Sequence, residues 1–295
     1  MTSGGSGECN NGEYMTHPAF ISLGVNGIWV GKFETGYNGA TSVKEARVNA
    51  NNSSKIIVKP NVYSWCSNTV NNMFLSSYNY KPELGSHMMK NTEWGAAAIL
   101  SHSVYGVDTE VNINNNSLHI TGYSAVQGTD QSTYPGTIGT AEEITLPYNT
   151  PTGYKASTTG NISGVYDMSG GAHEYMAAYK SESLGESEFN DVTNPIYKNY
   201  IDVYSTSSYI QTYQYRILGD ATGEMGPFLT YNDGDGNSRY HNSWYADQSD
   251  FPLSTAPWFY RGGYSADGIL ASQFQFYRNS GNIDANIGFR IVLAK

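Results

Sequence analysis

Three groups of residues in this sequence have types that chemistry uses. Asp167, His173 and Glu174 set an imidazole near two carboxylates, the pairing of general acid and base work. Asp233, Asp235 and Asn237, alternating with glycines, resemble part of a calcium loop, in which oxygen ligands alternate and Gly makes the turn. Cys9 and Cys66 are the 2 cysteines of the chain. Each group also has a plainer reading. The Asp-Gly-Asp-Gly-Asn run lacks the bidentate Glu that closes an EF-hand, and Asp, Asn and Gly dominate ordinary turns. It reads first as an acidic turn, with calcium as the alternative and no cofactor expected. The cysteines form no CxxC pair and no zinc-ligand spacing, and their number leaves one disulfide or two thiols open. No nucleophile elbow, P-loop or HExxH helix accompanies the His-Glu pair.

The composition narrows the classes further. Charged residues make up 14% of the 295, about half the usual share, so solubility rests on Asn, Ser, Thr, Gly and 25 Tyr. Such a surface suits secreted or virion proteins. Tyrosine also suits recognition, because it offers a large stiff contact with only two torsions to freeze, although many tyrosines simply pack in strands. The net charge of −10 gives no basic stripe for phosphates, which excludes nucleic acid as a partner. No apolar run is long enough to span a membrane. Residues 1–15 begin Met-Thr-Ser-Gly-Gly-Ser-Gly and read as a flexible leader, so any anchor or oligomerising segment is expected upstream of the folded part.

The elements that must position these residues follow from periodicity. Gly27–Glu34 alternates like a strand. Asn61–Ser77 carries Val62, Trp65, Cys66, Val70, Met73 and Phe74 at helical spacing, and Met88–Leu100 reads as a second helix. Residues 105–160 read as loops and short strands. Residues 180–213 are rich in Tyr and Ser and read as an insertion. Strands are then expected at Tyr215–Leu218, Trp258–Arg261, Phe274–Tyr277 and Gly288–Leu293. Helices first and strands later point to a single α+β domain over residues 16–295.

Several words then stand out in order. Gly164-Val165-Tyr166-Asp167-Met168-Ser169-Gly170-Gly171-Ala172-His173-Glu174-Tyr175, Arg261-Gly262-Gly263 and Gly288-Phe289-Arg290 resemble motifs of formylglycine-generating enzymes and related C-type-lectin-like proteins. Asn91–Ala97 is similar to a helix of that family. The resemblance implies a C-type-lectin-like fold, with two helices packed on mixed antiparallel sheets, in which Asp167 to Tyr175 is a structural turn and helix start. It does not carry the oxidase chemistry. That chemistry needs a C-terminal cysteine pair to hold copper, and Arg261–Arg290 contains no cysteine.

The last fifty or so residues also resemble the variable region of proteins diversified by retroelements in phages and bacteria. In that family the recurring words are scaffold and the residues between them are rewritten, with Lys, Glu, Gln, Met and Trp out of reach. In this chain the window spans residues 244–287. Its candidate variable positions avoid those five types, and Gln273 and Gln275 are assigned to scaffold. The resemblance implies a non-enzymatic recognition protein of the extracellular space or virion surface, borne by a phage tail tip or a bacterial surface protein. Its partner is a cell-surface protein or glycan. The expected contact residues are Tyr245, Asp247, Tyr260, Tyr264, Ser265, Asp267, Ile269, Tyr277, Arg278, Asn279, Ile283, Asp284, Asn286 and Ile287. Trp258, Phe259, Phe274, Phe276 and Phe289 are expected as core anchors, and Arg261 and Arg290 as structural cations. An enzyme of altered chemistry on the same scaffold, or a structural surface protein, are the alternatives.

Overall fold

A computed structural model describes residues 16–125, 146–190, 194–204, 217–224, 228–232, 238–242 and 247–294. In chain order its elements begin with α1 (Pro18–Ile21), β1 (Trp29–Val30), β2 (Gly36–Tyr37), α2 (Val43–Ala46) and β3 (Ile56–Ile57). There follow α3 (Val70–Tyr78), β4 (His87–Met88), α4 (Asn91–Leu100), β5 (Tyr123–Ser124) and β6 (Leu146–Pro147). The second half is built from β7 (His173–Lys180), β8 (Asp202–Tyr204), β9 (Phe228–Asn232), β10 (Ser238–Asn242) and β11 (Gln248–Ser249). It closes with β12 (Trp258–Arg261), β13 (Phe276–Asn279), β14 (Ile287–Phe289) and β15 (Ile291–Leu293). The architecture is α+β, as the order of periodicities implies.

Strand β7 organises the rest. Seven of its eight residues are buried. Both faces and both edges are covered, so the sequence shows no alternation of apolar and polar residues. On its edges β14 runs parallel to it, β12 antiparallel, and β8 parallel along Ala178–Lys180. The sheet then continues through β13, β11, β10 and β9. Successive side chains of a strand point to opposite faces, and β7 divides accordingly. Tyr175, Ala177 and Tyr179 join Trp65, Val70, Met73, Phe74, Trp258 and Phe289 in one core cluster. Met176 and Ala178 join Trp94, Ala97, Ala98, Phe259, Phe274 and Phe276 in another. Helix α3 therefore covers one face of the sheet and α4 the other.

All five anchor aromatics are buried, and Trp258 is fully so, stacked between Tyr179 at 5.1 Å and Phe189 at 5.5 Å. Its indole N–H donates to Leu184 O at 3.0 Å, so the one polar atom of the ring is satisfied.

The segment after Tyr166 is held from below by Arg290. Its Nε donates to Glu174 Oε2 at 2.9 Å and one Nη to Oε1 at 2.5 Å. Its remaining N–H groups reach Gly31 O at 2.7 Å, Tyr166 O at 2.9 Å and Asp167 O at 3.2 Å. Asp167 in turn accepts from Gly122 N–H and Asn114 Nδ2, both at 2.9 Å. Glu34 completes the cluster, accepting from Ala172 N–H at 2.9 Å and lying against the Ser64 hydroxyl. Gly171 is required where the chain passes Glu34, since its φ is +75° and a Cβ would sit 2.3 Å from Glu34 Oε1. Arg261 is likewise structural. It donates to Asn91 Oδ1 at 3.0 Å and to Asp220 O, with its guanidinium 5.3 Å from the Phe276 ring centre.

Several expectations are corrected. His173–Lys180 is a strand and not a helix start, because partners on both edges take its backbone groups. The helix expected over Asn61–Ser77 begins only at Val70. Asn61 and Ser67 have φ of +59° and +57°, and the intervening residues are extended, with Trp65 N–H bonded to Thr35 O. Likewise Met88 is in a strand against Ile291, and Glu93 starts α4 by accepting Lys90 N–H at 2.9 Å. Ile217 and Leu218 lie in an exposed turn rather than a strand. Gly288–Leu293 is two strands broken at Arg290, where the chain leaves the large sheet for a small one with β1 and β4. The 180–213 stretch contributes β8 to the large sheet.

Three buried carboxyls face one guanidinium, and burial raises Glu34 well above the usual range, with Asp167 and Glu174 adding to the rise. Burial and the neighbouring carboxylates therefore favour the protonated form of Glu34. Glu34→Gln, a neutral isostere, is expected to change stability by under about 1 kcal/mol in urea melts. Glu174→Ala strands a buried guanidinium and should cost about 3–5 kcal/mol. Equal losses would show that Glu34 is charged. Trp258→Ala should also cost about 3–5 kcal/mol, as for a large buried aromatic. An unchanged unfolding midpoint would remove Trp258 from the anchors.

Candidate functional site

The register of the large sheet places Tyr260 opposite Tyr175 on one side and Tyr277 on the other. His173 precedes Tyr175 by two residues and so shares its face. The ring centres run from Tyr277 to Tyr260 at 5.6 Å and from Tyr260 to His173 at 4.5 Å. They continue from His173 to Tyr264 at 5.0 Å and from Tyr264 to His119 at 6.4 Å. Strand β13, strand β12, strand β7 and two loops thus lay five rings in one continuous ribbon. The three tyrosines are part-exposed, whereas the imidazoles are buried beneath the edge of the ribbon.

The Arg261-Gly262-Gly263 word explains how Tyr264 returns to that ribbon. Gly263 has a φ of +73°, and a Cβ there would meet Ala271 Cβ at 2.4 Å. Only glycine makes this turn without displacing the next loop. Gln275 Oε1 then accepts Gly263 N–H at 3.0 Å, and Asp267 Oδ2 accepts Tyr264 N–H at 3.0 Å. Ser265 N–H bonds Gly171 O at 3.0 Å, tying the loop to the turn held by Arg290. Gln273 and Gln275 are both fully buried.

Burial sets the charges. It lowers His173 to about 3, with His119 adding to the fall. It lowers His119 to about 4, helped by Arg47 and opposed by Asp284. It raises Asp267 to about 6, opposed by the Tyr264 N–H. Burial, then Tyr277, Asp267 and Asp284, push the Tyr260 hydroxyl up as well. At neutral pH both imidazoles are uncharged and Asp267 is mostly ionised. The Cys66 thiol lies 3.9 Å from His119 Nδ1, but burial raises it well above its usual value and neutral His119 does not draw off its proton. His173 Nε2 lies 3.7 Å from Asp267 Oδ2, and its Nδ1 has no hydrogen-bond partner among the described residues. Among the described residues no group of three His, Cys, Asp or Glu side chains could hold a metal ion. The ribbon can bind through ring faces and acceptor atoms.

The other expected contact residues divide in their placement. Ser265 and Asp267 are part-exposed in the loop after Tyr264, and Ile269 lies in the short 3-10 turn Gly268–Leu270 beyond them. Arg278 is part-exposed but points to the other face, donating to Asp250 and to Phe251 O at 2.9 Å. Asn279 Oδ1 accepts Gly281 N–H at 3.0 Å, and Asp284 Oδ1 accepts Asn286 N–H at 2.8 Å, so both shape the loop over Tyr175. Ile283 stands out from that loop, 48% exposed. Two expectations are corrected. Ile287 is 2% exposed in β14, where register with His173 turns it into the core. Asp247 is fully buried, and burial pushes its carboxyl up to about 7. Tyr245, Asp233, Asp235 and Asn237 lie outside the described residues.

His119 is absent from the sequence expectations, and His173 enters them only as an acid-base candidate beside Glu174, not as a contact residue. His173 sits where Tyr175 and Tyr179 mark one face of a strand, a signal that a strand reading would have exposed. Nothing local connects His119 with Tyr264. Comparison with protein families and with curated proteins gives no match to this sequence.

Because burial raises the Asp267 carboxyl above its unfolded value, its ionisation costs the folded state. Stability should fall as pH rises from about 4 through about 6. Asp267→Asn keeps the acceptor for Tyr264 N–H and removes the charge. The variant should exceed the parent by about 1–2 kcal/mol at pH 7.5 and match it at pH 4. Identical urea midpoints at pH 7.5 would show Asp267 to be freely hydrated.

Proposed function

We propose that this chain is a non-enzymatic recognition protein with a C-type-lectin-like fold, whose C-terminal region is a retroelement-diversified variable region. One observation carries the reading. From Trp258 to Arg290 the recurring words are buried, and the intervals between them are mostly part-exposed or exposed, with Ala271, Ser272, Gly281 and Ile287 as buried exceptions. Trp258, Phe259, Arg261, Gly262, Gly263, Phe274, Gln275, Phe276, Gly288, Phe289 and Arg290 are buried. Tyr260, Tyr264, Ser265, Asp267, Tyr277, Asn279, Ile283, Asp284 and Asn286 are part-exposed or exposed and border one surface. A surface of this kind accepts substitution without loss of the core, since exposed positions change stability by fractions of a kcal/mol. Loops and strand ends on a rigid sheet are where binding residues are usually carried. Tyrosine contacts give large area at low entropic cost. The partner is a protein or glycan at a cell surface, and the carrier is a phage tail tip or a bacterial surface protein.

The reading predicts where natural variation falls. Deep sequencing of codons 244–295 across a population that carries the gene should find substitutions at Tyr260, Tyr264, Asp267, Tyr277, Ile283, Asp284 and Asn286. They should be confined to positions that are adenine in a nearby template repeat. Trp258, Gly263, Gln275, Phe289 and Arg290 should be constant. Even, purifying variation with Tyr264 and Tyr277 constant would overturn it in favour of an enzyme or a structural protein.

A further inference from the structure

We infer that the aromatic ribbon is a receptor for a guanidinium group, so that the partner presents an arginine side chain. The inference rests on the recognition reading and names the chemistry of its ligand. Four observations converge. First, three electron-rich faces, Tyr260, Tyr264 and Tyr277, lie part-exposed along one line. A cation over such a face is attracted by the ring quadrupole, and a planar guanidinium stacks there better than an ammonium. Second, the polar atoms around the rings are acceptors. Asp267 and Asp284 are carboxylates, both close enough to act on the Tyr260 hydroxyl. Third, His173 is 9% exposed, lies between the Tyr260 and Tyr264 rings and has an unpartnered Nδ1. Its Nε2 faces the Asp267 carboxylate, which favours the tautomer with hydrogen on Nε2 and leaves Nδ1 as a bare lone pair. Asn282 Oδ1, in the loop whose carbonyl takes the Tyr175 hydroxyl, is a second buried acceptor without a donor. Unpaired buried acceptors carry a cost, which a donor-rich ligand that reaches them removes. Guanidinium has five N–H donors and no acceptor.

Fourth, among the described residues two arginines approach this surface without covering its centre. Arg278 already sets its guanidinium carbon 5.6 Å from the Tyr277 ring centre, from the side where Asp250 holds it. Arg47 is exposed, with its Nε on Ala285 O at 3.1 Å, at the end of the ribbon where it acts on His119. Neither lies over Tyr260 or Tyr264. The net charge of −10 adds a long-range pull on a basic partner. A neutral sugar would also stack on tyrosine, but it would leave Asp267, on which no cation acts, without counter-charge, and so the cation is favoured.

The test is isothermal titration of the whole chain with a glycine-spaced peptide bearing arginines, against the same peptide with citrulline. Citrulline matches arginine in shape and carries no charge. The arginine peptide should bind at least about tenfold more tightly, with the advantage shrinking as salt is raised. Asp267→Asn and Tyr264→Ala should each weaken it about tenfold, while melting temperatures show both variants folded. Equal binding of the two peptides, or none of either at millimolar concentration, overturns the guanidinium. So does binding of methyl glycosides alone that Tyr264→Ala abolishes. That last result would leave the recognition reading intact, whose own failure is read from the population sequences and not from any titration.

Discussion

The bond between Arg290 and Glu174 is the constraint on which the other parts of this protein depend. A guanidinium cannot be buried without partners for its five N–H groups, and here the partners come from distant parts of the chain. Glu174 belongs to the central strand, Gly31 to the N-terminal region, and Tyr166 and Asp167 to the turn before the strand. Asp167 extends the same network to Asn114 and Gly122. Three segments are thereby fixed to one side chain, and Asp167 ties in two more. Each has polar backbone groups that would be stranded if it shifted.

That arrangement also holds the surface ribbon in place from beneath. The turn that Arg290 holds supplies Gly171, whose carbonyl anchors the Tyr264 loop through Ser265. Trp258, buried among Tyr179 and Phe189, fixes the strand that carries Tyr260. The side chains at the surface thus inherit their positions from groups beneath them. Replacing a surface ring removes its contacts but none of the bonds that hold its backbone. Rigid support of this kind lowers the ordering cost of any contact made at a surface.

The electrostatics of the ribbon follow from the same depth. Imidazoles packed under tyrosines lose their charge because burial disfavours the cation more than nearby carboxylates support it. Lowered basicity of His119 and His173 and a raised Cys66 thiol weaken these groups as bases or nucleophile, although their types suit either role. Residue type alone would have ranked them as chemistry. Their surroundings make them walls.

Sequence by itself determined the class of fold, the anchor aromatics and the two structural arginines. Each of these rests on local pattern or on the rarity of a buried, unpaired cation. It also marked Tyr260, Tyr264 and Tyr277, because glycine turns and apolar words bracket them. Tertiary structure decided what period alone could not. His173–Lys180 is a strand because neighbours cover both its edges, and an apolar run covered on every side shows no alternation to read. Ile283 and Ile287 have the same type and neighbouring positions, yet pairing with His173 buries one and leaves the other in solvent. His119 joins the ribbon from a loop far along the chain, and no pattern within the sequence encodes that distance. Local chemistry fixes what each residue can do, and only the packing of remote segments chooses which of those things it does.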